Sequence, residues 1–260
     1  MSKDSLGDRM KNFYESRSKT QLTRRTPVIV RLDGRAFHSF CKRFEKPFDT
    51  ELNSFLNNVT MFLCSKIQGA KFAERHSDEI SILLSDYDKL NTDAFFDYEV
   101  QKICSVTASM ATSAFIHEMI YLKDIVEDRF VLESTFLKYD EDWPQFDSRC
   151  FNIPDNEITN YFLWRQNDAV RNSIAMYAQS KFSSKQLHKK NSNQMQEMLF
   201  QEHGINWNDL PQERKSGFLC YKEITPDTCD RVKKWSIHPS PRSRDDLDRL
   251  IQSALIRDED

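Results

Sequence analysis

Two short segments carry residues that can do chemistry together: Arg31-Leu32-Asp33-Gly34-Arg35-Ala36-Phe37-His38 and His76-Ser77-Asp78-Glu79. Each places a carboxylate at a strand end or a turn. Paired carboxylates bridge two divalent ions about 3.5–4 Å apart in many in-line phosphoryl and nucleotidyl transfers. Magnesium suits such oxygen ligands and keeps waters and substrate phosphates in its shell. Gly34 adds a backbone without a Cβ, which can approach a metal or phosphate closely and offer its carbonyl. The amides of Arg35 to His38 then offer a phosphate nest. His38 suits a metal ligand or, the favoured reading, a hydrogen-bonding residue after the turn that contacts nucleotide. Read singly, Asp33-Gly34 is equally a strand-terminating turn and Ser77-Asp78 equally a hairpin turn. The chemical reading rests on their convergence.

The elements around these segments decide whether they converge. Residues 27–33 are short and β-branched, a buried strand with Val28, Val30 and Leu32 on one face and Ile29, Arg31 and Asp33 on the other. This reading ends the strand at Asp33. Asp49 and Thr50 cap a predicted helix to about Ile67, with Leu52, Phe55, Leu56, Val59 and Leu63 on its apolar stripe. Strands are predicted over 70–75 and 79–84, a helix over 94–121, a strand over 147–153 and a long helix over 155–180. The order β-α-β-β-α-β is the split βαβ, ferredoxin-like arrangement of an α+β fold. Its helices cover one sheet face and leave the other free for a ligand. The first strand then lies beside the hairpin, so Asp33 and Asp78 share one end of the sheet. The expected organisation is a basic helical arm at 1–26, a catalytic core at 27–153, a helical part of the same domain at 154–221 and a charged tail at 222–260, of strands or loops giving way to a short terminal helix.

Composition narrows the function. Of 260 residues, 39% are hydrophobic and 30% charged, which fits a globular chain able to bury a core. The net charge of −3 excludes a generally basic nucleic-acid coat, so any such contact comes from local patches. The six cysteines form no CxxC pair, and the expectation is reduced thiols in a cytoplasmic protein. No signal peptide, no 18-residue apolar run, no P-loop and no GxSxG elbow is read from the sequence. His117-Glu118 lacks the second histidine of a zincin helix.

Several motifs fall in one order: Arg31 to His38, Phe44-Glu-Lys-Pro-Phe-Asp49, Ser77-Asp-Glu79, Phe146-Asp-Ser-Arg149, Tyr161-Phe-Leu-Trp-Arg-Gln166 with Asp168 and Asn172, Gly204-Ile-Asn-Trp-Asn208 and Arg214-Lys215. Together they resemble the tRNA-histidine guanylyltransferase-like family of 3′–5′ RNA polymerases, over roughly residues 5 to 221. The resemblance implies a polymerase-type palm with an appended C-terminal region. By it, Asp33, the Gly34 carbonyl and Asp78 hold two magnesium ions, and Glu79 follows as a third catalytic acid. Residues Asp33, Gly34, Arg35, Ala36, Phe37 and His38, with Ser77 and Asp78, hold the nucleoside triphosphate, and Lys46 and Lys102 meet phosphates. ATP and GTP, or other triphosphates, are the implied substrates, tRNA the partner and a homotetramer the assembly, with no membrane. The RNA 5′ end is activated as a triphosphate or by adenylylation, and the incoming 3′-hydroxyl attacks it.

Two departures bear on specificity. Where eukaryotic members carry His-Ile-Asn-Asn, this chain has Val170-Arg171-Asn172-Ser173, and a later Lys-Asn-Glu stands as Met195-Gln196-Glu197. The first resembles the bacterial, archaeal and phage-like branch associated with template-dependent repair of tRNA 5′ ends. Trp164, Arg165, Asp168, Arg171 and Asn172 are candidates for the activation site, although Arg165 and Asp168 also suit a plain i, i+3 pair. Arg24, Arg25, Lys181, Lys185, Lys189, Lys190, Arg214 and Lys215 are the candidates for RNA contact. Alternatives kept open are a guanylyltransferase dedicated to histidine tRNA, a palm-fold nucleotidyl cyclase and a non-catalytic RNA-binding module.

Overall fold

Six strands, β1 (Val28–Arg35), β2 (Ala70–His76), β3 (Glu79–Leu84), β4 (Gln145–Asn152), β5 (Phe218–Ile224) and β6 (Lys233–Pro239), form one sheet in the order β4-β1-β3-β2-β5-β6. Every neighbouring pair is antiparallel. The structure, a computed structural model, describes residues 5–125, 143–224 and 233–255. Its longer helices are α1 (Ser5–Phe13), α3 (Thr50–Lys66), α4 (Val100–Ile125), α5 (Ile158–Lys181), α7 (Ser192–His203) and α9 (Arg244–Leu255). Shorter ones are α2 (Phe37–Phe40), α6 (Ser184–Leu187) and α8 (Gln212–Ser216). The first four strands keep the 4-1-3-2 order of the split βαβ unit, so the predicted α+β core is present.

One sheet face carries Val28, Val30, Leu32, Ile80, Ile82 and Leu84, packed under α3 and α4. Asp49 caps α3 by accepting from the Leu52 amide at 2.8 Å. Along α4 the buried residues Ile103, Thr107, Ala111, Phe115 and Met119 recur every fourth position, the stripe of a core helix. The 21 residues Val100–Ile120 are long and apolar enough to meet a membrane-span criterion, but that stripe faces the sheet.

The opposite face is not left free, as the sequence reading expected. Ile29, Phe72, Leu83 and Leu219 point to that side and are covered by Ile158 and Phe162 of α5 and by Leu247 and Ile251 of α9. Each such side chain gains roughly 1.5–3 kcal/mol by leaving water, which a bare face would forfeit. The polar end of this face, with Arg31 and Asp33, is where chemistry remains possible.

Four boundaries differ from expectation. Strand β1 runs on through Gly34 to Arg35, because β4 continues to pair there, Gly34 opposite Phe146 and Arg35 opposite Gln145. Positive φ at Phe96, Asp97 and Tyr98 separates a short 3-10 turn from α4, so the helix begins at Val100. The basic run toward Arg25 is not a helical arm beyond Ser18; Gln21 bridges to Glu99 and the Leu22 amide donates to the Tyr98 carbonyl. Strand β5 begins at Phe218, inside the part expected to be helical. The tail after 222, expected as strands or loops giving way to a short terminal helix, completes β5 and adds β6 and α9, which covers the sheet; 225–232 and 256–260 of it lie outside the described residues.

Candidate active site

Asp33 and Asp78 meet at one end of the sheet. Asp33 lies on β1, and Asp78 sits in the two-residue turn between β2 and β3. Gly34 makes the fit possible: a Cβ there would lie 2.7 Å from Oδ2 of Asp78 and 2.3 Å from Cδ2 of Phe37. Gly34 is therefore required by close approach inside a strand, not by a turn. Ser77, at φ 48°, donates from Oγ to Oδ1 of Asp78 at 2.9 Å, which aims the carboxylate. Arg75, buried beneath the turn, donates to the Ser77 carbonyl at 3.2 Å and to Asn53 Oδ1 of α3 at 3.0 Å. The turn is thus tied to a rigid helix.

The electrostatics of the pair call for a cation. Burial, then Asp78, Glu79 and Asp147, push the Asp33 carboxyl above its ordinary pKa. Burial likewise raises Asp78, against the hydrogen bond from Ser77. Asp147 faces Asp33 directly across the β1–β4 ladder and is held by Arg149 at 2.8 Å. Two carboxylates, Asp33 and Asp78, beside the Gly34 backbone are oxygen donors of the type that magnesium takes, so the residues present fit the implied metal.

Glu79 does something different from the role expected of it. Arg165 of α5 donates to both its oxygens, Nε at 2.6 Å and Nη2 at 2.9 Å, and Arg31 adds a contact at 2.9 Å. With both oxygens so engaged, Glu79 anchors α5 to the sheet. Beside it, His76 Nδ1 lies 3.0 Å from Glu74 Oε1. Burial opposes charging of His76, but Glu74 and Glu79 outweigh it and raise its pKa. Glu74, His76 and Glu79 bring ligand atoms within 4.8 Å of one another. The two arginines on Glu79 make the cluster a buried ion network.

The other predicted residues divide. Ala36 adopts φ 55° and opens α2, so the amides after Gly34 curve at the site's edge. Phe37 offers only backbone there; its ring is core, packed against Phe40, Phe115 and Phe146. Arg35 reaches across to Gln145 at 2.7 Å, and His38 is exposed. Lys46 is exposed on a loop held by Asp49 and by Phe48 against Tyr177. Lys102 is not brought to the site. It lies over the Phe96 ring, in the part of α4 near Cys104 and Cys150, whereas Phe115, some 13 residues on and about 20 Å along the helix, packs on Phe146 near Asp147.

On α5, Trp164 is 48% exposed and stacks on Arg165 at 4.2 Å, with Arg31 at 5.9 Å. Asp168 pairs with both Arg165 and Arg171, and Asn172 is exposed. Arg24 is exposed but pairs with Asp86 at 2.6 Å and Asp97 at 2.9 Å, which gives it a structural role. Arg25, Lys181, Lys185, Lys189, Lys190 and Arg214 are exposed, while Lys215 donates to the Asn208 carbonyl at 2.8 Å. Asp147, Arg75 and Glu74 were missed, and His76 was named only as part of the turn segment. Asp147 had a sequence signal too, its place in the Phe146–Arg149 motif.

A palm-type α+β sheet with two carboxylates seated around a glycine at the end of its first strand defines a nucleotidyltransferase site. The family described as tRNAHis guanylyltransferase (Thg1) matches residues 7–154. A probable tRNA(His) guanylyltransferase of Dictyostelium discoideum is 30% identical over 214 residues, covering 77% of each chain. A bacterial tRNA(His) guanylyltransferase (Thg1)-like protein solved in complex with ATP superposes with a TM-score of 0.80 at 40% identity, covering 95% of this chain and 98% of that one. A bacterial Thg1-like protein in complex with GTP gives 0.78 at 38% identity, covering 97% and 100%. The chain belongs to the tRNAHis guanylyltransferase family and is a nucleotidyltransferase of that family.

Proposed function

We propose that this chain adds nucleotides in the 3′–5′ direction to the 5′ ends of truncated tRNAs, choosing each by pairing with the opposing strand. The observation that carries the chemistry is the seating of the Asp78 carboxylate against Gly34 beside Asp33. Asp33, the Gly34 carbonyl and Asp78 would hold magnesium, which when bound neutralises the phosphates and stabilises charge developing in transfer. The chain's own residues position the reactants. Ser77 orients Asp78, Arg75 fixes the turn, and the amides following Gly34 receive phosphate oxygens. Arg31 and Arg149 supply positive charge beside the carboxylates, and Trp164 offers a stacking face on the same side.

Support for the repair reading comes from α5. The stretch Val170-Arg171-Asn172-Ser173 departs from the eukaryotic motif, and the bacterial structures above are 38–40% identical, against 24% for the Saccharomyces cerevisiae enzyme. ATP serves in this reading to activate a monophosphorylated 5′ end, and GTP and other triphosphates serve as incoming nucleotides. Asp33→Ala and Asp78→Ala each test the site: addition of labelled nucleotide to a 5′-truncated tRNA should fall at least about a hundredfold with an unchanged circular dichroism spectrum. Substantial addition by either variant would overturn the assignment.

A further inference from the structure

Helix α7 and the segment after it form an open, shallow groove of about 350 Å³ lined by Asn193, Gln196, Glu197, Phe200, Asn206 and Asn208. That volume is at the small end of ligand sites, about 300–1,000 Å³, and suits one nucleotide, not a duplex. The α7 residues fall at i, i+3, i+4 and i+7, so they share one helix face. Asn206 is spent on its own turn, donating to Asp209 and accepting from the Asn208 amide. Asn193, Gln196 and Asn208 extend carboxamides that carry both donors and acceptors. Phe200 is 54% exposed, an aromatic face that no packing requirement of the core explains.

The charge around the groove is complementary to a phosphate chain. Lys189 and Lys190 are exposed just before Asn191, the cap of α7, at the Asn193 end. At the other end Lys215 is held on the Asn208 carbonyl. An aromatic face and amide arms between two basic ends is the arrangement that takes a splayed-out base with its flanking phosphates. We infer that this groove binds one unpaired nucleotide of the RNA substrate, with the base stacked on Phe200 and its edge read by the amides and by Oε2 of Glu197, whose Oε1 accepts from Gln201 at 2.8 Å. A carboxylate accepts from an amino group, so adenine, cytosine and guanine suit the groove better than uracil. The inference rests on the RNA-directed reading above and names a contact surface for it.

The test uses the full chain and labelled trinucleotides A3, C3, G3 and U3, with binding read by fluorescence anisotropy across a salt series. U3 is expected to bind most weakly. Phe200→Ala should weaken the other three about tenfold while leaving the salt slope unchanged, since no phosphate contact is lost. Glu197→Gln should narrow the gap between U3 and the rest. Lys189→Ala with Lys190→Ala should instead flatten the salt slope. Phe200 is exposed, and a wild-type circular dichroism spectrum is the check that its variant folds. Wild-type trinucleotide affinity in folded Phe200→Ala overturns the inference, even if nucleotide addition to tRNA proceeds. Groove-dependent binding without nucleotide addition upholds the groove and counts against the function proposed above.

Discussion

Arg165 grips both carboxylate oxygens of Glu79, at 2.6 and 2.9 Å, and the pair is buried between β3 and α5. The residues are 86 apart in sequence, so this is the fastening that sets the long helix against the catalytic end of the sheet. Removing one partner of a buried pair strands the other, which costs about 3–5 kcal/mol. Arg31 remains on Glu79, so Arg165→Ala should cost near the lower figure, about 3 kcal/mol, in urea denaturation. The double variant Arg165→Ala with Glu79→Ala should lose less than the sum of the two single changes. Additive losses would show that the two side chains act independently.

Gly34→Ala should be far more damaging than its size suggests. The added carbon meets the Phe37 ring and the Asp78 carboxylate, and neither can yield without moving a core aromatic or the site. A displacement of about 1 Å costs roughly a hundredfold in rate, with a stability loss of about 1–3 kcal/mol from overpacking. Single-turnover nucleotide addition and denaturation measured on the same sample check both. A near-normal rate would mean that close approach at Gly34 has no part in the chemistry.

The site's carboxylates give a stability signature that needs no activity assay. Asp33 and Asp78 sit above the ordinary carboxyl pKa in the folded chain, chiefly through burial. Protonation therefore favours the fold: without metal, their contribution is intact below the ordinary value of 3.8 and declines as pH rises through the higher folded value. Asp33→Asn should remove part of that decline. Its expected effect at neutral pH is a Tm rise of up to about 2 °C, below the roughly 2–4 °C per kcal/mol typical of this size, because solvent screens a half-buried group. Magnesium should raise Tm in the wild type and much less in the variant. An equal magnesium response in both would place the ion elsewhere.

Arg24 should behave as a structural residue. Its guanidinium binds Asp86, whose side chain is 1% exposed. Arg24→Ala leaves that buried acid short of a partner, at a cost of about 1–3 kcal/mol. Its tRNA affinity and salt slope, measured below the melting range, should match wild type. A flattened slope would return Arg24 to the RNA surface.

Much of the core was legible because it is local. The alternation of Val28, Val30 and Leu32 against Ile29, Arg31 and Asp33, and the Asp49 cap, carry their own periodicity and hydrogen-bonding logic. Strands β5 and β6 read only as strands or loops because lysines and a glutamate interrupt their apolar pattern. They are strands because β2 offers an unpaired edge to Phe218–Tyr221, a relationship that no local pattern encodes. The same holds for the site. Asp33, Gly34 and Asp78 advertise themselves by type, whereas the binding of Glu79 to Arg165 and Arg31, and the capture of Arg24 by Asp86 and Asp97, depend on tertiary placement. Lys102 shows the converse: a matching residue type, set by the direction of α4 at the wrong end of the sheet.

The most direct measurement of the central claim is template dependence. A tRNA lacking its first 5′ nucleotide is prepared in four forms that differ only in the 3′-strand base opposite the gap. Each is incubated with the enzyme, magnesium and all four triphosphates, and the new 5′ ends are sequenced. The proposed grip on triphosphate and metal at Asp33, Gly34 and Asp78 would involve no base edge, so the pairing partner should choose the nucleotide. The predicted result is the Watson–Crick complement in each of the four products, on several tRNA species. Addition of guanosine alone, only to histidine tRNA and whatever the opposing base, would contradict the account.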